Sequence, residues 1–238
     1  MNESNYKLKL SIVIPVYNEE RTLRKLISAV ETVYLPLRKE IILVDDGSKD
    51  RSREILNSYK DKHKVIFQDK NSGKGSAIRR GFKEATGDLV VIQDADLEYN
   101  PEDYMVLLKP ILAGDADVVY GSRFVTSFPR RILYFSHYVA NKSITFLSNI
   151  FTGLNLSDME TGAKAFTSKV IKEILPCLTA KRFGIEPEIT AQIAKHRFRI
   201  YEVGISYKGR TYGEGKKLDW RDGLAAIWHV IKFNIFTR

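Results

Sequence analysis

Asp94 and Asp96, with Glu98 two residues further on, follow directly on the apolar run Leu89 to Ile92 in the stretch D-L-V-V-I-Q-D-A-D-L-E-Y-N-P. A short run rich in β-branched residues predicts a buried strand, which would deliver three carboxylates to its own C-terminal end. Carboxylates on one tight turn repel one another. A hard divalent cation, Mg²⁺ or Mn²⁺, relieves that repulsion, takes oxygen ligands and can share them with a diphosphate. The same residues also read as a solvated acidic turn that caps a helix beginning near Pro101. The rest of the chain decides between the two.

Four other polar clusters follow apolar runs in the same way. Leu10 to Tyr17 predicts a strand closed by Asn18-Glu19-Glu20, with a helix over Thr22 to Val33 behind it. Glu40 to Val44 predicts a second strand, ending in Asp45-Asp46-Gly47-Ser48, after which Asp50 caps a polar helix running to about Tyr59. Val65 to Gln68 predicts a third, and N-S-G-K-G carries Lys74 into a helix with Ala77, Ile78, Phe82 and Ala85. Beyond the acidic strand come a helix over Pro101 to Leu112 and a fifth strand over Asp117 to Gly121, which runs into Ser122 and Arg123. Such alternation with short connections predicts an α/β fold, a mostly parallel sheet with helices on both faces. Ligands of open sheets bind beyond the carboxyl ends of the strands, so all five clusters would face one crevice.

Beyond Arg123 the alternation stops. Thr126 to Arg131 reads as a loop with paired arginines, Ile132 to Phe151 as one or two aromatic-rich helices, and Asn155 to Phe166 as a loop feeding a short strand. Glu186 to His196 predicts a helix with Pro187 in its first turn, Ile200 to Tyr207 a strand, and Lys208 to Lys217 a basic, glycine-punctuated loop. In Asp219 to Phe236, Trp220, Leu224, Ile227, Ile231 and Ile235 share one helical stripe, widened by Trp228, Phe233 and Phe236. That stripe fits either a helix packed on the core or one lying at a bilayer surface.

At 238 residues the chain reads as a single domain, with 1–121 the ligand-binding half, 122–218 an acceptor-side half and 219–238 a terminal amphipathic helix. No run reaches the roughly 18 apolar residues of a membrane span. The single cysteine, Cys177, and the absence of a charged-then-apolar leader point to a reducing, cytosolic setting. Lys and Arg number 38 against 29 Asp and Glu, and the net +9 favours an anionic partner: a nucleotide, a phosphorylated lipid, an acidic membrane surface or nucleic acid. Nucleic acid is the weakest of these, since no recognition helix or aromatic platform accompanies the charge.

The segments S-I-V-I-P-V-Y-N-E-E, I-I-L-V-D-D-G-S-K-D, N-S-G-K-G-S-A-I-R-R-G, I-Q-D-A-D-L-E and V-V-Y-G-S-R-F resemble, in order and spacing, the motifs of family-two nucleotide-sugar glycosyltransferases with the GT-A fold. In the second half, D-M-E-T-G-A-K-A-F and E-V-G-I-S-Y-K-G-R-T-Y-G-E-G-K are similar to the branch containing dolichyl-phosphate mannose and glucose synthases. The resemblance implies that Pro15, Tyr17, Glu19, Val44 and Asp46 hold the nucleoside, with Lys74 also on the donor side. It implies that Asp94, Ala95 and Asp96 meet the ribose and diphosphate, and that Asp96 and Glu98 ligate Mg²⁺ or Mn²⁺. Arg123, Arg210 and Lys216 match cationic positions at the donor or acceptor phosphates, and Arg130 and Arg131 lie where relatives hold a lipid phosphate. Ala163 stands where the mannose synthases commonly have a bulky residue.

The implied reaction is an inverting displacement at the anomeric carbon of a nucleotide sugar. Mannose from GDP-mannose, then glucose from UDP-glucose, would pass to a polyprenyl or dolichyl phosphate at the cytosolic face of a membrane, with an anchoring membrane subunit as a possible partner. A metal held by Asp96 and Glu98, supported by Arg210 and Lys216, would stabilise the charge that builds on the leaving diphosphate, and Arg123 completes the implied catalytic set of Asp96, Arg123, Arg210 and Lys216. The alternative with the same fold transfers to a sugar hydroxyl of a surface polysaccharide or lipid-linked oligosaccharide, which needs a general base where an already anionic lipid phosphate does not. Asp158, Glu160, Glu186 and Glu188 are the candidates for that second case. A non-catalytic nucleotide- or membrane-binding module on the same scaffold is the alternative of a different class.

Overall fold

The computed structural model describes residues 7–125, 131–132, 134–211 and 220–236. Seven strands form one sheet: β1 (Lys9–Val16), β2 (Arg38–Asp45), β3 (Lys64–Phe67), β4 (Leu89–Ile92), β5 (Val118–Ser122), β6 (Lys164–Thr167) and β7 (Ile200–Gly204). Their order is β3-β2-β1-β4-β6-β5-β7. β1, β2, β3 and β4 pair in parallel, as do β5 and β7, while β6 runs antiparallel between β4 and β5. The sheet is therefore mostly parallel, as the alternation predicts, with one reversed strand. That reversal brings the start of β6 to the edge where the parallel strands end.

Side chains of the strands alternate between two cores. Ile12, Ile14, Val91 and Val119 face one layer, with helices α1 (Leu23–Thr32), α2 (Ser52–Asn57) and α4 (Tyr104–Leu112). Val13, Val90, Ile92, Val118 and Phe166 face the other. There α3 (Lys74–Glu84), α5 (Phe135–Thr152), α6 (Ser168–Ile174), α7 (Ile185–Lys195) and α8 (Trp220–Ile231) pack. Pro101–Asp103 forms a single 3₁₀ turn ahead of α4, capped by the side chain of Asn100.

Of the one or two helices expected over Ile132 to Phe151, the described residues hold one, α5, which ends at Gly153 in the left-handed conformation. Two departures from the sequence reading concern the second layer. α6 and the 3₁₀ turn Leu175–Cys177 were not anticipated at all. In α8 and its π-helical continuation Lys232–Phe236, the buried face is Ala226, Val230 and Phe233. Ile227 and Ile235 of the expected stripe are exposed, together with Trp228 and Phe236. The core selects the other face because Gly184 leaves room for the ring of His229 and Lys195 donates to the carbonyl of Phe233 at 2.8 Å.

Candidate active site

A cavity of about 1110 Å³ lies where the parallel strands end, and the polar clusters converge on it. Pro15 in β1, Tyr17 just after it, Asp46 after β2, Lys74 at the start of α3 and the turn after β4 all line it. Asp46 is 2% exposed and accepts from the amides of Ser72 (2.8 Å) and Gly73 (2.7 Å) and from Asn71 Nδ2 (3.0 Å). Burial pushes its carboxyl up, against the pull of those amides. Asp46 thereby fixes the loop that presents Lys74. Gly73 supplies the turn at φ +97°, where a side chain would be strained.

Lys74 Nζ sits 2.7 Å from Asp94 and 3.3 Å from Glu186. Its burial opposes the charge, but the two carboxylates outweigh that and hold the ammonium well above its ordinary range. Glu186 also pairs with the fully buried Lys164. Burial alone would raise the Glu186 carboxyl; Lys164 and Lys74 bring it below the ordinary value.

The turn after β4 is strained. Leu97 has φ +64°, rare for a bulky residue, and this reverses the chain so that the Glu98 amide donates to Asp96 Oδ1 at 3.1 Å. Both Glu98 carboxylate oxygens are engaged, one by the Tyr207 hydroxyl (2.7 Å) and one by the Arg210 amide (2.8 Å). Glu98 thus anchors the start of the basic loop. The Arg210 guanidinium lies 3.1 Å from Glu19 and 3.4 Å from Asp96.

Among the described residues no three acidic, histidine or cysteine side chains form a metal cage. Mg²⁺ and similar hard cations commonly take one or two carboxylates and complete their shell with phosphate oxygens and water. The donor set fits that mode: Asp96 is 26% exposed to the cavity, and a guanidinium already stands against its free side. Asp96 is the better-placed ligand. Glu98 would have to share oxygens it now gives to Tyr207 and Arg210.

At the other side of the cavity, Arg123 is held by the buried Asp158. Its Nε and one terminal nitrogen each donate at 2.7 Å, and its amide donates at 3.0 Å. Asn141 from α5 accepts a further bond at 3.2 Å, and the guanidinium lies 5.3 Å from the Tyr207 ring. Arg131 also lines the cavity, donating to the Gly209 carbonyl at 3.2 Å. From there the wall turns aromatic and apolar, with Phe124, Tyr134, Phe135, Tyr138, Ile144 and Ala226.

Of the expected site residues, Pro15, Tyr17, Glu19, Asp46, Lys74, Asp94, Ala95, Asp96, Glu98, Arg123, Arg131 and Arg210 meet at this cavity. Val44 does not line it: its side chain is fully buried in the core on β2. Arg130 and Lys216 lie outside the described residues. Ala163 is buried at the start of β6, 5% exposed. Sequence reasoning passed over Arg182 and Phe183, which reach the cavity from the segment that precedes α7. The signal was Gly73 and Gly75: a Cβ at either would strike the backbone of residues 180–182, which closes over the start of α3.

Of the four carboxylates considered as bases, three have structural partners. Asp158 binds Arg123, Glu186 binds Lys164 and Lys74, and Glu188 accepts from the Thr179 and Ala180 amides at 2.8 Å each. Glu160 lines the cavity with Oε1 buried and unpartnered among the described residues. Burial, reinforced by the charge of Glu186, pushes its carboxyl up to about 7.

Residues 11–175 match the model of glycosyl transferase family 2. The chain is 31% identical over 211 residues to a dolichol-phosphate mannosyltransferase of Pyrococcus furiosus, covering 88% of this chain and 59% of that protein. It is 33% identical over 214 residues to an undecaprenyl-phosphate 4-deoxy-4-formamido-L-arabinose transferase of Proteus mirabilis, covering 87% and 62%. The chain thus spans about three fifths of the length of these curated relatives. Glucosyl-3-phosphoglycerate synthase of Mycobacterium tuberculosis, solved with Mn²⁺, uridine diphosphate and phosphoglyceric acid, superposes with a TM-score of 0.73. That superposition covers 95% of this chain and 77% of the other at 19% identity, and it establishes a shared fold, GT-A. With a family match that runs from β1 through the acidic turn and β6, the chain belongs to glycosyl transferase family 2.

Proposed function

We propose that this chain transfers a hexose from a nucleotide sugar, GDP-mannose before UDP-glucose, to a polyprenyl phosphate at a membrane surface. The observation that carries this reading is the continuity of one cavity. Its acidic and cationic end lies at the strand termini, and its aromatic end is walled by α5 and α8. Few ligands need both. A nucleotide sugar fits the first and the phosphate and isoprene units of a lipid acceptor fit the second. The mannosyl- and arabinosyl-transferring relatives are named for acceptors of that kind.

In the reaction, an oxygen of the acceptor phosphate forms a bond to the anomeric carbon. The bond to the diphosphate oxygen breaks, its electron pair leaves with the nucleoside diphosphate, and the configuration inverts. Arg123, fixed by Asp158, would orient the anionic acceptor, assisted by Arg131, and no base is then required. Arg210, with Lys216 six residues further along the sequence, would meet the charge that accumulates on the leaving diphosphate. Lys74 would hold Asp94 in place beside it. A divalent cation, Mg²⁺ or Mn²⁺, bound by Asp96 with Glu98 would supply Lewis-acid stabilisation of that diphosphate.

The two helices that wall the aromatic end also carry exposed apolar side chains, among them Phe135, Phe146, Ile150, Trp228 and Phe236 on α5 and on α8 with its continuation. No helix among the described residues is long and apolar enough to cross a membrane. We infer peripheral contact, for which the net +9 suits the anionic cytosolic leaflet. The Glu160 carboxyl, raised to about 7, favours a second reading in which a sugar hydroxyl is the acceptor.

Asp96→Ala tests the catalytic assignment. Turnover of labelled donor should fall at least about 100-fold while the melting temperature stays within a few degrees. Near-normal turnover would remove Asp96 from the chemistry.

A further inference from the structure

Along the sheet edge, the order of the strands sets the order of the groups at the cavity. Asp46 follows β2, Tyr17 follows β1, Asp94 to Glu98 follow β4, Glu160 to Gly162 precede the reversed β6, and Arg123 follows β5. If the donor's nucleoside lies over β1 and β2 and its diphosphate beside the turn after β4, the transferred sugar falls before β6. The acceptor phosphate then lies beyond it, at Arg123. Glu160 stands between the diphosphate carboxylates and the acceptor arginine.

We propose that Glu160 is a specificity-determining residue that hydrogen-bonds a hydroxyl of the transferred hexose. The assignment rests on the donor reading above. Asp158 and Glu188 have both carboxylate oxygens hydrogen-bonded, and Glu186 Oε1, which makes no hydrogen bond, still lies 3.3 Å from Lys74 Nζ, whereas Glu160 Oε1 is buried with no hydrogen-bond partner among the described residues. A buried carboxyl oxygen without a partner costs free energy that a ligand hydroxyl can recover on binding. The neighbouring charged groups, Glu186, Lys164, Arg123 and Asp158, are tied to one another or to Lys74. They fix the surroundings of Glu160 without satisfying that oxygen. With its carboxyl near neutrality, the group is present both as a donor and as an acceptor, so it suits a sugar hydroxyl, which is both. Sites that hydrogen-bond a substrate hydroxyl discriminate strongly against analogues that lack or misplace it.

Calorimetric titration with GDP and GDP-mannose, and with UDP and UDP-glucose, in the presence of Mn²⁺ provides the test. The wild type should bind one nucleotide sugar more tightly than its nucleoside diphosphate. Glu160→Ala should leave nucleoside diphosphate affinity within about twofold and weaken nucleotide-sugar affinity about tenfold or more. Glu160→Gln, which keeps the shape and both hydrogen-bonding roles, should retain part of the sugar-dependent gain and carries the comparison if the alanine variant folds poorly. The same sugar-dependent gain in wild type and variants would overturn the proposal. So would a loss of kcat with unchanged donor affinity, the signature of action on the acceptor. A wild type that binds neither nucleotide sugar overturns the donor reading itself, an outcome visible before any variant is compared.

Discussion

The position of Asp94 is set from two sides. Lys74 Nζ holds its carboxylate at 2.7 Å, and Gly162 lets it approach where a Cβ would lie 2.3 Å from Oδ2. The Gly162 amide also donates to the Tyr99 hydroxyl at 2.9 Å, which ties the start of β6 to the acidic turn. Gly162→Ala should push the Asp94 side chain toward the open cavity and leave the core intact. A displacement on the order of 1 Å at a reacting centre costs roughly 100-fold in rate, so turnover should fall by about that factor with the circular dichroism spectrum unchanged. Unaltered turnover would mean that the position of Asp94 is not used. The glycine itself was readable in D-M-E-T-G; its reason was not, because the carboxylate that excludes a side chain lies 68 residues earlier in the chain. The same holds for Glu160, whose lack of a partner is legible only once Asp158, Glu186 and Glu188 have found theirs.

Among elements, β1 and β2 lead into the residues proposed to hold the donor, and a side chain at the opposite edge of the sheet locks them together. Glu40 accepts from Lys9 Nζ (2.9 Å), from Ser11 Oγ (2.5 Å) and from both the amide (2.9 Å) and the hydroxyl (2.8 Å) of Thr86. Burial would raise this carboxyl, but the bonds from Ser11, Thr86 and Lys9 bring it down to about 2. A carboxyl lowered in the folded state adds stability that is fully present above its unfolded value and is lost as pH falls toward 2. Glu40→Gln should therefore lower stability by about 1–3 kcal/mol at pH 7, with the gap to wild type closing below about pH 4. Melting temperatures across that range check it, and a gap independent of pH would contradict the assignment. The first five strands and four helices were legible because each is a short apolar run or a clear helical stripe bounded by turn residues. α8 was misread because it has two apolar faces, and the pattern alone cannot say which one meets Gly184 and Lys195. α6 is only seven residues long, its signals reduced to the Thr167 cap and the apolar set Val170, Ile171 and Ile174, and the segment carrying Arg182 has no helical or strand pattern at all.

In the whole molecule, the sheet edge and the two helices α5 and α8 give the cavity a charged end and an aromatic end, which the proposed function assigns to donor and acceptor. On that reading, the exposed apolar side chains of α5 and α8 make sense as the surface that meets the lipid from which the acceptor is drawn. This division is the central claim, and transfer of radiolabelled sugar tests it most directly. GDP-mannose, UDP-glucose and UDP-N-acetylglucosamine would each be incubated with a short polyprenyl phosphate and Mn²⁺ or Mg²⁺, and label moving into organic solvent counted. The account predicts metal-dependent label in a mild-acid-labile lipid from one donor, GDP-mannose first. No lipid label from any donor, with label passing instead to a sugar hydroxyl, would contradict it.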